Sequence, residues 1–201
     1  MKTLVSAWQD RFREPDDRVI LRVFDGRLTE TALTASEFKS TVERIASGLK
    51  DVGVRKGDHV FLSLTSEPDM TVYFWASVLI GAIPCLLFTD YGADALIARF
   101  RSGAANVLIL DQDSPALLAA IDACPELRMV LRTEEIQAVT PASGFEPASP
   151  ESDSPAFMIF TSGSTGFPKA VLHRQGIAGP IFRSMKNGQP KIGRASCRER
   201  V

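Results

Sequence analysis

Residues 160–173 read FTSGSTGFPKAVLH, and their centre, Thr161–Lys169, is built from small, hydroxyl-bearing and basic residues. Gly163 and Gly166 permit positive φ angles and let the backbone approach a ligand closely. Successive amides in such a turn form a nest that binds anions, and Lys169 adds a point charge suited to a phosphate. Because the stretch carries no acidic residue, it predicts a polyphosphate-binding loop. The candidate binding residues are Thr161, Ser162, Gly163, Ser164, Thr165, Gly166 and Lys169.

The loop is expected to connect two strands, Phe157–Phe160 and Ala170–His173. Its residue pattern differs from those of better-known phosphate loops. A Walker loop needs Gly directly before the lysine and Ser or Thr directly after it. Here Pro168 precedes Lys169 and Ala170 follows it. The dinucleotide fingerprint GxGxxG is also absent. A flexible Ser/Gly surface turn is the alternative interpretation, and the two flanking strands favour the binding loop over it.

Upstream of the loop, helical and extended patterns alternate. This alternation predicts an α/β fold in which helices pack on a mostly parallel sheet. Thr34 and Glu37 have the spacing of a capping box, and Asp25-Gly26 is typical of a two-residue hairpin turn. The expected helices are Leu4–Phe12, a helix that is capped by Thr34 and ended by Gly53, 68–80, Ala93–Arg101 and Pro115–Cys124. The expected strands are Val19–Phe24, Arg27–Ala32, His59–Leu64, Ile83–Phe88, Asn106–Leu110 and Met129–Leu131. Thr140–Ser154 is predicted to be a surface loop.

Composition excludes several classes of protein. The 201 residues are 45% hydrophobic and 23% charged, with a net charge of −1. This composition is that of a globular chain and lacks the basic surplus of a nucleic-acid-binding protein. The three widely spaced cysteines argue against a zinc site or a disulfide framework and, with no secretory signal at the N-terminus, predict a cytoplasmic protein. Met70–Thr89 carries no charge over 20 residues, and we expect it to be helix, turn and strand, with a membrane span as the alternative.

The loop and the segments before it resemble the adenylate-forming superfamily, which includes acyl-CoA synthetases, carrier-loading adenylation domains and luciferases. TSGSTG-x-PK matches the phosphate-loop signature of that superfamily. Leu33–Val60 resembles its opening helix, turn and strand, and Ser77–Leu110 resembles its next two βα units. The chain departs from the family pattern at Ala170, where Gly is usual, and at Phe160, where Tyr is frequent. The resemblance implies the N-terminal part of the large adenylate-forming domain.

For the intact parent, the resemblance implies ATP, Mg²⁺ and coenzyme A as cofactors and a small-molecule carboxylic acid as substrate. The acid would form an acyl-adenylate with release of pyrophosphate, and the acyl group would then pass to a thiol. The family's adenine and ribose motifs, magnesium-binding glutamate and catalytic lysine lie downstream of the phosphate loop. No catalytic and no metal-binding residue is therefore assigned to this chain, which we expect to be inactive alone. An adenylation domain that loads a carrier protein, and a non-catalytic phosphate-binding module, remain the alternatives.

The last eleven residues, Lys191–Val201, are expected to be foreign to the protein. KIGRASCRERV resembles the translation of a common short-read sequencing adapter, and four of the chain's 23 basic residues fall within it. A basic C-terminal tail is the alternative. We therefore divide the chain into residues 1–190, a truncated N-terminal portion of an AMP-binding domain, and residues 191–201, an artefactual tail.

The remaining polar residues are interpreted as structural. His59 opens a strand and His173 ends one. Cys85 and Cys124 are expected to be small buried hydrophobes. Asp111–Asp113 follows a buried strand, where a strand-end turn is favoured over a metal site or a Walker B strand.

Overall fold

The computed structural model describes residues 2–24, 30–65, 67–139, 145–162 and 168–179. The helices are α1 (Leu4–Arg11), α2 (Ala35–Asp51), α3 (Glu67–Leu79), α4 (Ala93–Ser102), α5 (Pro115–Asp122) and α6 (Thr133–Ala138), with a 3-10 turn at Gln175–Ile177. The strands are β1 (Val19–Phe24), β2 (Glu30–Thr34), β3 (His59–Ser63), β4 (Ile83–Leu86), β5 (Val107–Leu110), β6 (Met129–Arg132), β7 (Pro155–Ser162) and β8 (Pro168–Arg174). The artefactual tail predicted for residues 191–201 lies outside the described residues.

Six strands form one sheet in the order β6-β5-β3-β4-β7-β8, and β1 and β2 form a separate antiparallel pair. Every neighbouring pair of the large sheet is parallel except β7 and β8, which are antiparallel. The prediction of helices on a mostly parallel sheet is confirmed. Since β7 runs parallel to β4, with Met158 opposite Cys85, the end of β7 lies at the carboxyl edge of the sheet.

Side chains of the central strands alternate between two cores, which makes the domain three-layered. Val60 and Leu62 of β3 face a core that includes α1, α2 and α3, whereas Phe61 faces a core that includes α4 and α5. Both faces of the sheet are covered by helices, as is usual for parallel sheets. This burial explains why the strands read as nearly continuous apolar runs in the sequence.

A helix cap and a turn form where the sequence predicted them. The Thr34 hydroxyl accepts a hydrogen bond from the Glu37 amide at 3.2 Å, and the Glu37 carboxylate accepts one from the Thr34 amide at 2.9 Å, which confirms the capping box. Gly81 joins α3 to β4 with a φ of +79°, a conformation that favours glycine. The uncharged stretch is therefore helix, turn and strand. Among the described residues, no helix combines the length and apolarity that a bilayer crossing requires.

Some predicted boundaries are wrong. Phe24 lies opposite Glu30, whereas a two-residue turn at Asp25-Gly26 would place Phe24 opposite Arg27, so the hairpin has a longer connection. Residues 25–29 lie outside the described residues. Strand β4 ends at Leu86 rather than Phe88, because its pairing with β3 stops at Leu62 and Leu86, and Phe88 is 71% exposed. Helix α6 was not predicted, since its six residues give too short a period to recognise.

Candidate phosphate-binding site

The predicted loop starts and ends on an antiparallel pair of strands. Thr161 lies opposite Lys169, and Ser162 lies opposite Pro168. Both strands extend closer to the loop than the sequence indicated, so the hairpin is paired up to the residues that bound it. Gly163, Ser164, Thr165 and Gly166 lie outside the described residues. The structure therefore describes the base of the candidate site.

Thr161 and Lys169 form a cross-strand pair whose side chains share one face of the sheet. Directly opposite residues of an antiparallel pair have Cβ atoms about 4.5–5.5 Å apart. Both residues are exposed. A hydroxyl donor and an ammonium group thus lie on the same face at the base of the loop, an arrangement that suits an anionic ligand.

The neighbouring residue, Phe160, anchors this base in the protein core. Its ring centroid lies 6.1 Å from that of Phe61, and the Arg99 guanidinium carbon lies 5.6 Å from the Phe160 centroid. Ala170 lies opposite Phe160 and packs against the same core. The two departures from the family signature therefore face each other across the hairpin and are both packed inward. Neither of them lies on the face that carries Thr161 and Lys169.

Further from the loop, the face that carries Thr161 and Lys169 is covered by a stack of rings. The His173 and Phe157 centroids are 4.6 Å apart with an interplanar angle of 16°, and Phe74 lies 5.5 Å from Phe157. Burial lowers the pKa of His173, and its Nε2 atom is buried with no hydrogen-bond partner in the described part of the chain. His173 is therefore packed and neutral at pH 7, which is consistent with the structural role expected from the sequence.

The carboxyl ends of β3 and β5 are tied together by the first residue of the Asp111–Asp113 segment. The Asp111 carboxylate accepts hydrogen bonds from the Thr65 amide at 2.7 Å and the Thr65 hydroxyl at 2.6 Å. The Asp113 carboxylate pairs with Arg132 at 2.8 Å. Within the described ranges, no group of three or more His, Cys, Asp or Glu side chains could hold a metal ion. The described geometry gives this segment a structural role.

His59 and the two described cysteines are also structural. His59 Nδ1 lies 2.7 Å from the Gly103 carbonyl oxygen, which ties β3 to the end of α4. Cys85 and Cys124 are free and buried, which confirms the interpretation of both as small hydrophobes. Burial raises the pKa of the Cys85 thiol to about 12, so the thiol stays protonated.

Sequence reasoning missed one basic residue beside the loop base. Arg99 lies on α4, and its guanidinium carbon is 3.7 Å from the Tyr91 centroid. Leu96, three residues before Arg99 on the helix, and Phe100, directly after it, are buried. An arginine next to the apolar face of a helix was the available signal.

A separate apolar cavity of about 430 Å³ opens between α1, β1 and α3. Trp8, Phe12, Phe38 and Trp75 line it, and Arg11 also contributes to its wall. Its mainly apolar lining does not suit a polyphosphate. The candidate phosphate site therefore remains the β7–β8 hairpin.

The arrangement of the sheet and hairpin matches known structures. An acyl-CoA synthetase from Brucella canis superposes with a TM-score of 0.76 at 22% identity, covering 92% of this chain and 35% of that protein. The N-terminal subdomain of Klebsiella oxytoca NpsA, solved in complex with 3-hydroxybenzoyl-AMSN, superposes with a TM-score of 0.69 at 25% identity, covering 87% of this chain and 41% of that one. The fold is that of the N-terminal portion of adenylate-forming enzymes.

The sequence comparison agrees with the fold. The model of the AMP-binding enzyme family matches residues 8–187, so the chain belongs to that family. It is 28% identical over 187 residues to an acetyl-coenzyme A synthetase from Penicillium chrysogenum, which covers 80% of this chain and 28% of that protein. The chain thus spans well under half the length of the curated relatives it matches.

Proposed function

We propose that this chain is the phosphate-binding part of an ATP-dependent carboxylic acid–CoA ligase. The observation that carries the proposal is the exposed Thr161–Lys169 pair at the base of a donor-rich loop, on the carboxyl edge of the sheet. In open α/β sheets, ligands bind at that edge. Membership of the AMP-binding family and similarity to acetyl-coenzyme A synthetases support ATP and an acyl substrate.

In the proposed reaction, a carboxylate oxygen of the acid attacks the α-phosphorus of ATP. The new bond gives an acyl-adenylate, and the bond from that phosphorus to the bridging oxygen breaks, so pyrophosphate leaves with its electron pair. Thr161, Ser162 and the amides of Gly163–Gly166 would donate hydrogen bonds to the β- and γ-phosphates. Lys169 would balance the negative charge that grows on the leaving group. Preorganised donors of this kind stabilise a transition state strongly.

In the second half-reaction, the thiolate sulfur attacks the acyl carbonyl carbon and AMP leaves. Coenzyme A is proposed as the thiol because the chain belongs to the AMP-binding family and is similar to acetyl-coenzyme A synthetases. A carrier-protein thiol is the competing acceptor. The thiol gives its proton to solvent before the attack, and the AMP phosphate keeps the electron pair of the broken bond.

Thr161 and Lys169 fit a polyphosphate, because both are exposed and lie on one face. Within the described ranges, no group of three or more His, Cys, Asp or Glu side chains could hold a resident magnesium ion. The ion would arrive bound to ATP, and residues other than those described would hold it.

Pyrophosphate titration of the 201-residue chain by calorimetry tests the phosphate site. We expect Lys169→Ala to weaken binding, whereas Lys56→Ala, which removes another exposed lysine, should leave it unchanged. Equal affinities for the wild type and the Lys169 variant would refute the assignment of the loop.

The acyl acceptor is tested in the enzyme encoded at the source locus, extended beyond residue 190. Acid-dependent thioester formation with coenzyme A would support the ligase. Adenylation without transfer to coenzyme A, but with transfer to a carrier protein, would contradict it. The same locus tests the proposed domain division: a natural reading frame that encodes KIGRASCRERV would refute the artefactual tail. Cytoplasmic localisation remains a prediction.

A further inference from the structure

Arg99 occupies an unusual position for a charged residue. Its guanidinium carbon lies 3.7 Å from the Tyr91 centroid and 5.6 Å from the Phe160 centroid. Both distances are within the range of cation–π contacts. The guanidinium therefore bridges the segment before α4 and the last core residue before the loop.

Arg99 makes few polar contacts, so the two aromatic rings are the main groups that orient its guanidinium. Its Nη1 donates a hydrogen bond to the Ala95 carbonyl oxygen at 2.8 Å. Its Nε is buried and has no hydrogen-bond partner in the described ranges. None of the ion pairs seen there involves Arg99, whereas Arg101, two residues further on, faces Glu126 at 3.7 Å.

We propose that Arg99 is a positioning residue for the phosphate loop; this inference rests on the proposed function of that loop. Successive side chains of a strand point to opposite faces. Holding the Phe160 ring against the core therefore fixes the rotation of the backbone that presents Thr161. Because Thr161 is paired with Lys169, the contact between Arg99 and Phe160 also sets the direction in which the Thr161 and Lys169 side chains point.

A second contact supports this role of Phe160. Phe61 lies on one side of its ring at 6.1 Å, and Phe61 is itself fully buried in the centre of the sheet. Gly103, at the end of α4, allows that helix to approach closely, since a Cβ there would lie 2.6 Å from Phe61 Cζ. Phe160 is thus held between a rigid strand and a helix, and Arg99 supplies the contact from the helix.

The test uses the 201-residue chain at micromolar concentration, with Arg99→Gln and Arg99→Lys compared with the control Arg101→Gln. Hydrogen–deuterium exchange by mass spectrometry follows peptides containing Phe160–Ser162 and Lys169–Ala170, with β3 peptides as the internal reference for global stability. Pyrophosphate affinity is measured on the same samples. Arg99→Gln should raise exchange at the loop base and leave β3 unchanged. It should weaken pyrophosphate binding by about five- to tenfold, the effect of a partly desolvated cation–π contact.

Arg99→Lys keeps the charge but lacks the planar group. Its exchange at the loop base and its pyrophosphate affinity should lie between those of the wild type and Arg99→Gln. Equal increases of exchange in β3 and at the loop base would show a merely structural role and overturn the inference. Unchanged exchange at the loop base, or the same change in Arg101→Gln, would also overturn it. If the wild type binds no pyrophosphate while Arg99→Gln still loosens only the loop base, the proposed function fails and the positioning by Arg99 stands.

Discussion

Lys169 lies directly opposite Thr161 in the β7–β8 hairpin, one residue pair before Ser162 and Pro168. The two residues are eight positions apart in sequence, yet they share one exposed face of the sheet. The hairpin register, set by strands that are paired up to the loop, fixes this relationship. It places one charged group and one hydroxyl on the same face at the base of the loop.

Replacing Lys169 with Ala in the active parent enzyme should lower kcat/KM for ATP by about 10- to 150-fold. A hydrogen bond to a charged group is worth about 1.5–3 kcal/mol, and 1.36 kcal/mol corresponds to a factor of ten. Activity should not vanish, because the loop amides would still contact the phosphates. Lys169→Arg should retain part of the activity. Steady-state kinetics decide the matter, and near-normal ATP kinetics in Lys169→Ala would make Lys169 an ordinary surface lysine.

The 201-residue chain should not catalyse acid-dependent exchange of pyrophosphate into ATP. It spans only 28% of the length of the acetyl-coenzyme A synthetase relative, and no catalytic residue is assigned to its described part. The measurement is incorporation of labelled pyrophosphate into ATP in the presence of a panel of carboxylic acids. Incorporation that depends on an acid and is lost in Lys169→Ala would show that the chain is active alone.

Acid should destabilise the chain partly through His173. Burial lowers its pKa in the folded protein, so the unfolded chain binds the proton more tightly. The contribution of His173 to stability is therefore fully present above its unfolded pKa of about 6.5 and is lost as the pH falls through the lower, folded value. Urea unfolding at pH 8 and pH 5 should show a smaller difference in His173→Gln than in the wild type. The same pH difference in both proteins would exclude His173 as a cause.

The outer strand β8 should promote self-association. It ends the order of described strands in the sheet, and Leu172 on it is 47% exposed. Unpaired strand edges with apolar side chains favour pairing between molecules. Leu172→Lys should therefore increase the monomeric fraction at high concentration, as measured by light scattering after size-exclusion chromatography.

Leu118 offers a matched control, because it is 46% exposed but lies on helix α5. Leu118→Lys should change the monomeric fraction much less than Leu172→Lys. If both variants raise it equally, general surface hydrophobicity, and not the strand edge, would drive the association.

Much of the architecture could be predicted from local signals. The capping box at Thr34 and Glu37, the turn at Gly81 and the alternation of helices and strands are confirmed, because each depends on residues close in sequence. Helix α6 and the register of the first hairpin were not predicted correctly. A six-residue helix has little periodicity of its own, and the register of β1 against β2 depends on pairing along both strands as well as on the Asp25-Gly26 signal.

By itself, the sequence determined the chemistry of Thr161–Lys169, a run of donors with no acid, and with it the resemblance to the AMP-binding family. Only the tertiary structure decided that Thr161 faces Lys169, that Phe160 and Ala170 pack inward, and that Arg99 lies against Phe160. These relationships join residues up to 61 positions apart. They depend on strand register and on the packing of α4 against β7 and β8, which no local pattern encodes. Residue type fixes which groups can bind a phosphate, whereas packing fixes the direction in which those groups point.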